Sequence, residues 1–160
     1  MKKLATLLIL IPILTFGTAL AQPQQGRGAG YGYAAFGAVT DGGNNQAFWA
    51  FGGGAEYVAS SGLGFRFDLG VLGDSGFDDA LGIFSPGLMF EFKPERKTTP
   101  FVAAGYTLFF RSETAHGFHF SGGVRHWYSD GFGMRFEVRD DVLAEEPIHF
   151  VQGRVSFLFR

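Results

Sequence analysis

Three side chains in this chain have the types that acyl transfer requires. His119 and Ser121 stand two apart in "HFS", and Glu137 follows in a later segment. A hydroxyl is a weak nucleophile until an imidazole takes its proton, and a carboxylate that orients the imidazole completes the set. A spacing of two puts His119 and Ser121 on one face of a strand. Folding back through "SDG" brings 121 opposite 139, which leaves Glu137 one diagonal step from Ser121. An ordinary hydrogen-bonded trio needs the same three residues, and that is the expectation adopted: no catalytic residues, with His119, Ser121 and Glu137 the set to test if the chain is an enzyme.

Two other constellations carry less. Glu113, His116 and His119 in "ETAHGFH" are metal-ligating types, but the spacing is loose and no fourth ligand follows, so no metal is expected. "GAGYGYAAFGA" and "FGGGAE" are glycine-rich without the Lys-Ser/Thr or the strand-to-helix setting of a phosphate loop. Close strand packing accounts for them, and no cofactor is expected.

The elements that must hold these groups are strands. In "LGFRFDLGVL", residues 63–72, Leu63, Phe65, Phe67, Leu69 and Val71 share one parity, and Gly64, Arg66, Asp68 and Gly70 share the other. Eight such runs follow one another, at about 29–39, 47–58, 63–72, 82–93, 101–111, 118–128, 132–139 and 148–159. They are separated by the turn formers "TDGGNNQ", "ASSG", "GDSGFDD", "PERKTTP", "SETAHG", "SDG" and "DDVLAEEP". Their length is that of tilted membrane strands, about 9–11 residues, and exceeds the usual 5–6 of soluble ones. No stretch shows a helical period.

Composition decides which face points inward. A solvated face should be rich in lysine, yet beyond the first residues only Lys93 and Lys97 occur. The polar parity instead mixes Gly and Ala with arginine and acid: Glu56, Arg66, Asp68, Glu91, Arg111, Arg125, Arg135, Glu137, Arg139 and Arg154. Small residues leave room inside a narrow barrel, and nearly balanced charges pair there. The other parity carries Trp49, Phe51, Phe84, Phe90, Phe92, Tyr106, Phe110, Phe120, Phe136, Phe157 and Phe159. Against lipid that face is at no disadvantage, whereas an arginine there at the bilayer midplane costs about 2–4 kcal/mol. A secreted β-sandwich or lipocalin-like barrel keeps the alternation but not the lysine shortage or the strand length. The expected fold is therefore all-β, an eight-stranded antiparallel up-and-down transmembrane β-barrel. It must close on itself, because a bilayer offers no partner to an unpaired backbone group.

The ends agree with this reading. Lys2 and Lys3, the apolar "LATLLILIPILTF" and the small residues of "ALA" read as a signal peptide over 1–21, cleaved after Ala21. A short flexible leader, 22–28, and the barrel domain, 29–160, complete the organisation. Of 13 Lys and Arg, Lys2 and Lys3 go with the signal peptide, leaving 11 against 15 Asp and Glu. That balance and the lack of a basic cluster exclude nucleic acid as a partner. Cysteine is absent, so an exported domain here relies on no disulfides. An even strand number puts both termini on one side. With that side periplasmic, the opposite connections carry Asp41, Asp74, Asp78, Asp79, Glu113, Asp140, Asp141, Glu145 and Glu146, an acidic rim for solvent or for interaction partners.

The pattern resembles the small outer-membrane β-barrel family, the OmpA- and OmpX-like eight-stranded barrel domains. The resemblance rests on "FGMRFEVRDD" (132–141), similar to the family's seventh-strand segment, and on the terminal "IHFVQGRVSFLF". There Gly153, Val155, Phe157 and Phe159 alternate as in the family's assembly signal. It implies residence in the bacterial outer membrane, insertion by the barrel-assembly machinery, contact with outer-membrane lipids and lipopolysaccharide, and a monomer. It also implies a non-enzymatic structural role, with a lipid A-modifying deacylase-like enzyme or a surface interaction protein as alternatives. In the deacylases the His-x-Ser motif lies near the end of the seventh strand, where this chain has "FEVRDD".

Overall fold

The computed structural model describes residues 26–41, 44–74, 80–111, 113–145 and 148–160. Alternation along the chain becomes eight antiparallel strands: β1 (Arg27–Asp41), β2 (Asn44–Val58), β3 (Leu63–Gly73), β4 (Leu81–Glu91), β5 (Thr98–Phe110), β6 (Thr114–Trp127), β7 (Phe132–Leu143) and β8 (His149–Phe159). Each pairs with the next, and β1 pairs with β8 from Gly30↔Phe159 to Thr40↔His149, so the sheet closes into a barrel with no free edge.

The strands run further than local propensity alone indicates. Thr98–Pro100, His116 and Asp140–Leu143 fall in stretches rich in turn formers, yet all are paired. In a closed sheet these backbone groups meet a facing strand, and ladder hydrogen bonds outweigh their intrinsic preference. β1 begins at Arg27, so the barrel starts two residues before the expected boundary of 29. The ladder between β4 and β5 breaks at Ser85 and Pro86, where proline has no N–H to donate. The signal-peptide and most of the leader reading falls in 1–25, outside the described residues, as do Asp78, Asp79 and Glu146.

The two faces are what the parity implies, with the aromatic side outward. Phe65, Phe67, Leu69, Leu88, Phe120, Phe136 and Val138 are exposed, while Arg66, Asp68, Glu91, Arg125, Arg135, Glu137, Arg139 and Arg154 are buried. The lumen is layered along its axis. Farthest from the termini, Phe48, Leu72, Ile83, Phe109 and Phe150 pack with Ala35 and Ala50. Toward the termini lie Tyr31, Tyr33, Trp127 and Leu158 on one side, and Val58, Met89 and Phe101 on the other. The charged groups lie between the far layer and the mouth at the termini, interleaved with these two clusters, and Glu91 and Arg125 line a pocket at that mouth with Arg27 and Glu95.

Two rings explain several glycines. Tyr31 faces Gly54, and Tyr33 faces Gly52, across the β1–β2 ladder. A Cβ at Gly54 would come within 2.7 Å of the Tyr31 ring, and one at Gly70 within 2.3 Å of the Tyr33 hydroxyl. Only glycine leaves the interior wide enough for two tyrosines laid across it.

Candidate functional site

The ionic groups inside the barrel divide into two chains of alternating sign. In the first, Arg125 bridges Glu91 and Glu56, donating to Glu56 Oε1 at 2.9 Å. Arg135 joins Glu56 to Glu137, and Glu137 holds Arg66 with two bonds, from Nη1 at 3.0 Å and from Nη2 at 2.5 Å. The order is Glu91, Arg125, Glu56, Arg135, Glu137, Arg66. The second chain lies nearer the far end: Asp141, Arg139, Asp68, Arg154. Arg139 donates to Asp141 from Nε at 2.8 Å and from Nη2 at 2.6 Å, and to Asp68 Oδ2 from Nη1 at 2.9 Å. Arg154 Nη1 lies 3.4 Å from the same Asp68 oxygen.

Each chain is neutral by itself, three arginines against three glutamates and two arginines against two aspartates. Every interior member stands between two opposite charges, the arrangement that offsets desolvation best in a low-dielectric space. Neutral groups complete the second chain. Tyr31 donates to Asp68 Oδ1 at 2.8 Å, Gln152 to Asp141 at 3.0 Å, and Thr107 to Asp141 at 2.7 Å. Aromatic faces cover the cations: the Arg135 guanidinium lies 4.3 Å from the Tyr31 ring centroid, and that of Arg154 4.0 Å from Tyr33.

Nine of the ten residues assigned to this network by parity are in it. Arg111 is not. It follows β5 at the rim and is exposed, because β5 ends at Phe110. Asp141, read as part of the acidic rim, is instead buried beside Arg139, since β7 continues to Leu143 and carries it inward. The exchange of Arg111 for Asp141 converts six arginines and four acids into five of each. Asp140 also leaves the loop set: it faces outward on β7 and accepts from His149 Nδ1 at 2.9 Å. Tyr31, Tyr33 and Gln152 complete the polar lumen. The signal for the tyrosines was present in "GYGYAA" opposite "GGG", a large residue facing a small one.

The acyl-transfer trio is brought into the lumen but not assembled. The His119 Nδ1 lies 3.1 Å from Thr107 Oγ1, and its ring leans over β5 toward β4, where Gly105 and Gly87 clear space for it. Ser121 Oγ accepts from Arg66 Nη2 at 3.2 Å, and Glu137 is spent on Arg66 and Arg135. Thus no hydrogen bond links the imidazole to the hydroxyl, or the carboxylate to the imidazole. His116 and His119 of the metal reading point to opposite faces: His116 is exposed and bonded to Tyr106, and His119 is buried. Among the described residues no group of three potential ligands is placed to hold a metal ion.

At the end of β8, Gly153, Val155, Phe157 and Phe159 share the outward face. Arg160 turns back over the mouth, its guanidinium 3.7 Å from the centre of the Trp127 ring, while its backbone N–H donates to Gly131.

Closed topology, apolar exterior and polar lumen define an eight-stranded barrel of the outer-membrane type. Solved structures place it more closely. Neisserial surface protein A superposes with a TM-score of 0.70 at 11% identity, over 84% of this chain and 97% of that one. The N-terminal barrel domain of Pseudomonas aeruginosa OprF gives 0.60 at 16% identity, over 84% and 100%. Ail of Yersinia pestis, solved with the heparin analogue sucrose octasulfate, gives 0.60 at 10% identity, over 84% and 97%. No protein-family profile and no curated protein matches the sequence. The likeness is therefore one of fold.

Proposed function

We propose that the protein is an exported, integral outer-membrane barrel with a structural role in the envelope, its lumen closed by ionic chains and not a conduit for solutes. One observation carries this: the exposed face is aromatic and aliphatic around the barrel, while the enclosed face holds a neutral, alternating charge network, with an apolar layer filling the lumen beyond it at the end away from the termini. Such a particle is stable only where oil surrounds it, and an eight-stranded lumen is filled by its own side chains. The signal peptide over 1–21 supplies export. The outward row at Gly153, Val155, Phe157 and Phe159 is what the assembly machinery reads at insertion. The working form is a monomer among outer-membrane lipids and lipopolysaccharide.

Membrane fractionation with heat-modifiable gel migration tests the reading. The expected result is outer-membrane recovery and faster migration of the unheated, folded band. A folded monomer that dissolves without amphiphile overturns it. The enzymatic alternative lacks support in the geometry, because His119 is bonded to Thr107 while Ser121 and Glu137 both serve Arg66. Mass spectrometry of lipid A from cells expressing the chain or its Ser121→Ala variant is expected to give identical acyl composition. A change that depends on Ser121 refutes the structural role.

A further inference from the structure

The two ends of the barrel differ in sign. Among the described residues, the rim that carries the termini presents Arg27, Lys93, Arg96, Lys97 and Arg160 against Glu95 and Asp130. The opposite rim presents Asp74, Glu113 and Glu145 against Arg111. The two lysines that follow Lys3 in the sequence, Lys93 and Lys97, both lie in one six-residue connection, 92–97, between β4 and β5.

That connection is held in one shape. The buried Thr99 hydroxyl donates to the Arg96 carbonyl at 3.1 Å, and the Trp127 N–H donates to the Lys97 carbonyl at 2.8 Å. Lys93 itself has φ 66°, a left-handed conformation that glycine or asparagine adopts at lower cost. A long cation thus occupies a position where local backbone preference argues for a different residue.

Depth then selects the partner. Phe92 is exposed on the outward face and is followed directly by the cation Lys93; Phe159, Tyr128 and Phe132 extend the same aromatic level around the barrel. Aromatic rings at this level mark the membrane–water interface, and a cation one residue beyond them, as Lys93 is, stands among headgroups.

We propose that this rim binds the phosphates of anionic glycerophospholipids in the adjoining leaflet, with Lys93, Arg96 and Lys97 as the principal contacts. The proposal rests on the barrel spanning a bilayer. A soluble anionic polymer would meet the same charges but has no reason to favour cations set against a lipid-facing aromatic girdle.

Electron paramagnetic resonance separates membrane spanning from lipid selectivity. The folded barrel is reconstituted in phosphatidylcholine with trace spin-labelled phosphatidylglycerol or phosphatidylcholine. A motionally restricted lipid component reports spanning, and its relative size for the two labels reports selectivity. Phosphatidylglycerol is expected to associate at least about threefold more strongly, with the preference lost in high salt. The combined variant Lys93→Gln, Arg96→Gln, Lys97→Gln brings the ratio near unity, whereas Glu113→Gln with Glu145→Gln at the other rim does not lower it. Restricted lipid with no preference, or a preference that survives the triple variant, overturns the lipid site alone. No restricted lipid at all overturns the spanning reading as well.

Discussion

Glu137→Ala is expected to destabilise the folded barrel by about 3–5 kcal/mol, the penalty of leaving a buried charge without its partner. Both Glu137 oxygens hold Arg66, and Arg135 Nε stands 3.5 Å from Oε2. With the carboxylate gone, Arg66 keeps only the Ser121 hydroxyl in a space that water does not reach. Arg135→Ala is expected to fall at or below the lower end of that range, because Glu56 retains Arg125 and Glu137 retains Arg66. Reversible urea unfolding in lipid vesicles measures both. Joint replacement of Arg66 by Met and Glu137 by Leu should recover more than half of the single-site loss, since no uncompensated charge remains except at Arg135, which still has Glu56. If Glu137→Ala and Arg135→Ala are both neutral, the belt is hydrated and the ionic chains do not close the lumen.

Val138→Arg tests the opposite face. Val138 lies midway along β7, points outward and is 64% exposed. Around it Gly122 and Gly153 are its ladder neighbours, so a longer side chain meets no steric barrier. In a bilayer the guanidinium at mid-depth is expected to cost about 2–4 kcal/mol, falling to about 0–1 near the interfaces. Thr98→Lys, at the rim end of β5, is the interfacial control. On a water-soluble barrel both substitutions would stay within about 0.5 kcal/mol, as exposed polar changes do. A neutral Val138→Arg in lipid vesicles contradicts the orientation from which every functional statement here descends.

His119, Ser121 and Glu137 illustrate how far spacing reaches. The ladder does pair Ser121 with Arg139, and Gly123 with Glu137, as the "SDG" turn required. Register between adjacent strands was legible because a tight turn sets it. What the side chains do once inside was not. Arg66 reaches Ser121 and Glu137 from the other side of the lumen, 55 and 71 residues away in sequence, and His119 turns toward Thr107. Those contacts cross the interior, where no local pattern records which groups stand at one height.

The same limit explains Arg111 and Asp141. Each has the inward parity of its strand, but parity specifies a face and not a level along the axis. Whether a residue lies in the closed belt or at the open rim depends on where pairing stops, and the facing strand decides that. Alternation, strand count, the shortage of lysine and the aromatic parity were enough to determine the eight-stranded architecture and which side meets oil, because side-chain direction in a strand is a local, two-residue property. Only closure of the barrel decided that five arginines and five acids form two neutral chains. Strand tilt and stagger set which groups meet across the lumen, and those are properties of the whole sheet.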